Sequence, residues 1–265
     1  MADVRVFVGC CGFPFSRRKY YAMFATVEVQ QTFYKLPQKD TVERWRGEAP
    51  SEFVFNMKAW QVITHPSSSP TWKRAGMRPP GNVENYGYLK PTSENIEAWC
   101  KSVEIARILS ARVVVLQTPP SFGYSGENEQ NAREFFSIAT KFIDDNMVIG
   151  WEPRGNWSDY QDVVEDIVCS IPRVIHIVDP FRRNPVICSG QRILYLRLHG
   201  IGGREVNYKY RYSDDDLAKL VNLVRSIIEQ YDSIREVYVM FNNVYMGNDA
   251  RRFKEIAGRR GLNVV

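Results

Sequence analysis

Two glutamates, a lysine, an arginine and a histidine stand where apolar runs of this chain end. Glu28 lies inside Thr26-Val27-Glu28-Val29-Gln30, and Lys58 closes Phe53-Val54-Phe55-Asn56-Met57-Lys58. Gln117 closes Val113-Val114-Val115-Leu116-Gln117, Glu152 closes Val148-Ile149-Gly150-Trp151-Glu152, and Asp179 closes Val174-Ile175-His176-Ile177-Val178-Asp179. Arg197 and His199 end Leu194-Tyr195-Leu196-Arg197-Leu198-His199, and Asn242-Asn243 follow Val237-Tyr238-Val239-Met240-Phe241. Carboxylates so placed can act as general bases or hold a hard metal ion. Histidine moves protons near neutral pH, and lysine and arginine stabilise developing negative charge. Such endings on successive runs point to one shared site.

The runs that carry them read as strands over 4–9, 26–30, 53–58, 112–117, 147–152, 174–179, 193–199 and 236–243. Helical spacing fills the intervals at 41–47, 94–109, 127–143, 158–169, 214–230 and 249–259. Asp40, Ser93, Ser158 and Ser213 stand where N-caps belong. Eight alternations over 265 residues predict an α/β fold, a (β/α)8 TIM-type barrel formed as one domain over 1–265. The competing doubly wound sheet needs a glycine-rich phosphate turn, and Gly9-Cys10-Cys11-Gly12-Phe13-Pro14 is not one. Two irregularities are expected. Residues 60–92, broken by Pro66, Pro70, Pro79, Pro80 and Pro91, form a long excursion after the third strand, and 180–192 is too short and proline-broken for a full helix.

Alternation along each strand decides which side chains face the barrel axis. Glu28, Gln30, Asn56, Lys58, Glu152, Arg197, His199 and Asn242 fall on that face, near the C-terminal rim where barrel enzymes carry their sites. Gln117 and Asp179 fall on it less cleanly. His176 points toward the helices and is expected to be a core histidine, whereas His65 is a lid residue or an ordinary loop residue.

Composition narrows the partners. A net charge of +5 and basic stretches at 16–19 and 181–183 suit an anionic small molecule or nucleic acid without requiring either. Tyr20, Tyr21, Phe33, Tyr34, Trp60, Tyr208, Tyr210 and Tyr212 could supply flat faces for a base or a sugar. No apolar stretch approaches the roughly 20 residues of a membrane helix, and the start of the chain lacks a signal-peptide pattern. Five cysteines, odd in number and without metal spacing, suggest a reduced, cytoplasmic protein. Three histidines are too few for a multi-histidine zinc cluster, so a metal, if bound, is expected to be Mg or Mn on Glu28, Glu152 and Asp179.

Several segments together resemble the YecE-like family, also catalogued as domain of unknown function 72. They are Thr26-Val27-Glu28-Val29-Gln30-Gln31-Thr32-Phe33-Tyr34-Lys35-Leu36-Pro37, Thr41-Val42-Glu43-Arg44-Trp45, Phe55-Asn56-Met57-Lys58-Ala59 with Ile63-Thr64-His65, and Leu116-Gln117-Thr118-Pro119-Pro120-Ser121-Phe122. Trp151-Glu152-Pro153-Arg154, Tyr195-Leu196-Arg197-Leu198-His199-Gly200 and Phe241-Asn242-Asn243 complete the set. The resemblance implies a TIM-type barrel and no settled activity. The chain departs from the family pattern at Cys10-Cys11, where a small hydroxyl pair is usual, and at Gln30, where asparagine is usual.

The resulting expectation is an enzyme that hydrolyses an anionic, phosphate-containing or nucleic-acid-derived substrate. Glu28, Glu152 and His199 are the catalytic candidates. Gln30, Tyr34, Asn56, Lys58, His65, Gln117, Arg154, Arg197, Asn242 and Asn243 are the binding candidates. One alternative is a sugar or carbonyl isomerase or lyase using the same carboxylates and Lys58; another is a barrel that binds nucleic acid or a partner without chemistry.

Overall fold

A computed structural model describes residues 4–76, 78–203 and 205–265. Eight parallel strands close into a barrel in sequence order: β1 Arg5–Cys11, β2 Thr26–Val29, β3 Val54–Lys58, β4 Val113–Gln117, β5 Val148–Glu152, β6 Val174–Val178, β7 Ile193–Leu198 and β8 Glu236–Phe241. The helices are α1 Arg17–Tyr21, α2 Gln31–Tyr34, α3 Lys39–Glu48, α4 Pro70–Ala75, α5 Ser93–Leu109, α6 Gly126–Ala139, α7 Gln161–Ser170, α8 Asp214–Gln230 and α9 Met246–Arg259. Both faces of a parallel strand are covered, which is why β4 and β6 are near-continuous runs of branched aliphatics.

The chain divides into two compact units. The first comprises the chain up to Glu28 together with Ala49–Val54 and Ile175–Val265; the second comprises Val29–Glu48 and Phe55–Val174. In the first unit β1 pairs with β2 and β8, β8 with β7, and β7 with β6. Helix α8 starts on a reciprocal cap: the Ser213 hydroxyl accepts from the Asp216 amide, and the Asp216 carboxylate accepts from the Ser213 amide. Its stripe Leu217, Leu220, Val221 and Val224 is buried, as the spacing predicts. Helix α9 begins three residues before the expected 249, which places Asp249 in a buried first turn.

In the second unit β4 pairs with β3 and β5. Trp99 Nε1 of α5 donates to the Ala139 carbonyl, tying α5 to the end of α6 at 3.0 Å. Three caps differ from expectation: Asp40 lies in the first turn of α3, which already begins at Lys39. Thr92, one residue before Ser93, caps α5 by accepting from the Asn95 amide, and Ser158 lies in a 3-10 turn, Gly155–Asp159, ahead of α7. In the latter two places neighbouring hydroxyl or turn residues compete for one cap position, and spacing alone does not choose between them. The excursion over 60–92 holds two 3-10 turns, Gln61–Ile63 and Val83–Asn85, and α4. Asn95, fully buried, pins it by accepting from the Gly87 amide and donating to the Gly87 and Lys90 carbonyls. Gly87 is required there: its φ is +82°, and an added Cβ would stand 2.7 Å from the His65 carbonyl oxygen. Between β6 and β7 the described residues form no helix, as expected.

Cys10, Cys11 and Cys100 are free thiols, and the first two are buried. Cys169 and Cys188 are disulfide-bonded, which corrects the expectation that all five cysteines are reduced. No helix among the described residues is long and apolar enough to cross a membrane.

Candidate functional site

The polar strand ends sort by unit. In the second unit they form a row across β3, β4 and β5. Lys58 ends β3, with its Nζ donating to Gln117 Oε1 at 3.1 Å and lying 3.8 Å from the centroid of the Phe33 ring. Both contacts hold the ammonium in one position at the end of the strand. The Thr32 hydroxyl fixes the strand end from below, donating to the Lys58 carbonyl at 2.6 Å. Gln117 is in register with Glu152 across the β4–β5 ladder. Glu152 Oε1 receives Arg154 Nη2 at 2.6 Å, and both side chains are about nineteen-twentieths buried. A charge-assisted bond this short between buried partners holds both in one geometry.

His65 joins the row from the excursion. Its ring stands edge-on to Phe33, with centroids 5.0 Å apart. Its Nδ1 lies 2.8 Å from the Thr64 hydroxyl, and its carbonyl accepts from Trp72 Nε1. Burial, and then the positive charge of Lys58, push the imidazole pKa down to about 3. The ring is therefore neutral at physiological pH. A neutral imidazole keeps one N–H donor and one acceptor nitrogen, and the Thr64 hydroxyl, which donates to the Gln61 carbonyl at 3.4 Å, holds the Nδ1 side of the ring in place. Tyr34 lies in the same unit, its hydroxyl accepting from Arg74 and its carbonyl from Gln61 Nε2. Gln30 is half-buried just before α2. Asn56 is fully buried, and its amide oxygen accepts from the first amide of β4, Val113, at 3.1 Å.

The first unit holds two other groupings. Glu28 and Arg197, both fully buried, pair at 2.9 Å, and the Tyr195 hydroxyl donates to the second Glu28 oxygen at 2.9 Å. Further along β7, the His199 amide donates to Asp179 Oδ2, while Asp179 Oδ1 accepts from the Phe181 amide. Arg182 lies 3.6 Å from Asp179 and donates to the Gly200 and Gly202 carbonyls. The His199 ring meets Asn242 through Nδ1 at 3.3 Å. Asn243 donates to Asp249 and to the Tyr210 carbonyl. Asp179 is thus engaged as an anchor for the loops after β6 and β7. His176, read as a core residue, is buried and lies 3.1 Å from the Val186 amide, accepting through Nδ1.

Among the described residues, no group of three or more His, Cys, Asp and Glu side chains is arranged to hold a metal ion. Glu28 pairs with Arg197, Glu152 with Arg154, and Asp179 accepts from the Phe181 and His199 amides.

Several participants escaped the sequence reading. Thr32 follows β2 in a short helix, where a threonine looks like ordinary packing, and Phe33 beside it was expected to offer a flat face to a ligand rather than to lie against Lys58. Tyr195, two residues before Arg197, carries no charge to single it out. Asp249 resembled an exposed acid at a helix start, yet it is fully buried and accepts from Asn243. An acid in the first turn of an otherwise apolar helix face was the one available signal.

A family model described as "Protein of unknown function DUF72" matches residues 16–263. Among solved structures, a DUF72 family protein from Enterococcus faecalis superposes with TM-score 0.67 at 19% identity, covering 97% of this chain and 99% of that one. One from Thermotoga maritima gives TM-score 0.67 at 20% identity, covering 96% and 99%. A D-psicose 3-epimerase, solved in the presence of D-fructose, gives 0.54 at 10% identity over 98% of this chain and 99% of that one. No curated protein matches.

Proposed function

The chain belongs to the DUF72 family, and on that premise we propose that it is an enzyme acting on an anionic, phosphate-bearing small molecule at the ends of β3, β4 and β5, cleaving it hydrolytically. The observation that carries this reading is the row Lys58–Gln117–Glu152–Arg154, in which two nearly buried cations are held at the end of β3 and just past β5, the two neighbours of β4. Oriented cations at a largely water-excluded rim suit charge that develops on a substrate oxygen. Lys58 and Arg154 would bind and stabilise the anion. Glu152 would accept a proton from the water that attacks phosphorus and return it to the alcohol oxygen that departs, with Arg154 holding the carboxylate in place. His65, neutral and pinned by Thr64 and Trp72, would donate to a substrate oxygen rather than shuttle protons.

The test is turnover of a panel of phosphomonoesters and phosphodiesters by the purified chain, with and without Mg2+ or Mn2+. Release of phosphate or alcohol that is lost in Lys58→Met supports the reading. A panel with no turnover under any of these conditions sinks it.

A second reading uses the same residues for proton transfer on a sugar or carbonyl compound. The barrel shared with proteins named as D-psicose and D-allulose 3-epimerases favours it at the level of fold alone. A Schiff base would form on Lys58 by attack of its amine on the carbonyl carbon with loss of water. Borohydride trapping on Lys58, and deuterium exchange at carbon in phosphosugars, distinguish this reading from hydrolysis.

A further inference from the structure

Three of the large apolar side chains exposed among the described residues belong to two touching loops of the first unit. Tyr208 is 44% exposed, Val244 68% and Tyr245 40%. The Val244 amide donates to the Tyr208 carbonyl at 2.8 Å, so the loop after β7 and the loop after β8 present these side chains side by side. Isolated exposed hydrophobics need no explanation, but a group on two joined loops at strand C-terminal ends does.

Cations are interleaved with the rings. The Arg211 guanidinium stands 5.9 Å from the centroid of Tyr245. Two residues beyond Tyr245, Gly247 faces Phe15 so closely that an added Cβ would lie 2.6 Å from the ring. Phe15 in turn carries Lys19 Nζ at 4.8 Å from its centroid. Lys19, Lys209 and Arg211 are all exposed. Of the nearby acids, Asp214 is paired with Arg252, Asp216 accepts from Ser213 and Tyr210, and Asp249 is buried against Asn243; Asp215 is exposed. The strip therefore runs cation, ring, glycine, ring, cation, with Tyr208 and Val244 beside it.

We propose that this strip is a binding platform for single-stranded nucleic acid, with bases stacked on Tyr245 and Tyr208 and phosphates lying against Lys19, Lys209 and Arg211. Every base offers a π-face, so stacking on tyrosines is tolerant of sequence, and the interleaved cations follow a backbone of regular charge. The complementarity of an exposed basic and aromatic strip to a polyanion of flat rings selects this occupant. The proposal stands apart from the catalytic reading, because it concerns binding and not turnover.

The test is fluorescence anisotropy of a labelled thymidine decamer, and of an abasic decamer of equal length, titrated with the full chain at roughly 50 and 200 mM KCl. The thymidine decamer is expected to bind, and to bind more tightly than the abasic one. Tyr245→Ala and Tyr208→Ala are each expected to weaken the thymidine decamer by about 5- to 100-fold, the loss of one stacked base. Tyr245→Phe keeps the ring and should bind within about twofold of wild type. Arg211→Gln should lower the salt slope by about 0.7, one phosphate contact on a single strand. These tyrosines are substantially exposed, so their variants should fold, and an unchanged thermal midpoint verifies it. No binding at the lower salt, equal affinity for the abasic decamer, or tyrosine-to-alanine variants that bind like wild type would each overturn the proposal.

Discussion

Arg197 donates to Glu28 at 2.9 Å, and neither side chain exposes any surface. Tyr195 completes the arrangement from two residues earlier on β7, donating to the other carboxylate oxygen. Removing two charges from water costs several kcal/mol, which the pair offsets only while both members are present. Arg197→Met should therefore destabilise the fold by about 3–5 kcal/mol, because it leaves a buried carboxylate behind. The double variant Glu28→Gln with Arg197→Met should lose less than the sum of the two single changes. Urea unfolding of the four proteins measures this coupling; additive losses would mean that the pair does not act as a unit.

Tyr195→Phe tests the same centre more gently. A hydrogen bond to a charged group is worth about 1.5–3 kcal/mol, and the phenylalanine ring keeps the stacking on Tyr238 at 5.5 Å between centroids. A loss in that range, with the denaturant slope unchanged, is the expected outcome.

Much of the barrel was legible because parallel strands buried on both faces leave apolar runs, and the helices between them keep a 3.6-residue stripe. The polar strand ends were legible for the opposite reason: a charge in such a run is costly unless something holds it. What alternation could not supply was the partner. It placed Glu28 and Arg197 on one face, but not the Tyr195 hydroxyl that closes the pair. It placed Lys58, but not the Phe33 ring beneath its ammonium. Gln117 looked off-face, yet its side chain reaches Lys58. Partners drawn from other segments depend on how strands and loops meet in space, and period counts one segment at a time.

His65 makes stability depend on pH in a definite direction. Its folded pKa, about 3, lies below the ordinary 6.5 because burial and then Lys58 disfavour the imidazolium. Between those values the unfolded chain binds a proton that the folded chain does not. Stability from this group is thus complete above about pH 6.5 and falls as pH drops toward 3, by up to about 1.4 kcal/mol per unit. Urea midpoints between about pH 5 and 7 should decline more steeply for wild type than for His65→Gln. Parallel curves would show that His65 is not held neutral.

The three free thiols should differ sharply in reactivity. Burial drives Cys10 up to about 12 and raises Cys11 as well, the latter reinforced by the Glu28 carboxylate. Cys100 is half-exposed on α5, and its thiol is raised chiefly by partial burial. A thiol-specific disulfide reagent at mildly alkaline pH should label Cys100 first, with Cys10 and Cys11 reacting only on unfolding, because the attacking species is the accessible thiolate. Rapid labelling of all three in the native protein would contradict the packing around β1.

Lys58 separates orientation from charge in the proposed reaction. Lys58→Met removes the cation while keeping the length of the side chain over Phe33, so the fold should survive and turnover of a phosphoester should fall by about 10²- to 10³-fold, the usual cost of one charge-stabilising donor. Gln117→Leu keeps the cation and removes the acceptor that aims it. That change should lower kcat more than it raises KM, since a misaimed cation still attracts the anion but stabilises the transition state poorly. Lys58→Arg retains charge on a larger, planar group and should recover only part of the rate. Steady-state kinetics on the three variants decides between the roles. If Gln117→Leu raises KM alone, Lys58 serves binding; if Lys58→Met leaves kcat/KM unchanged, the chemistry does not pass through the end of β3.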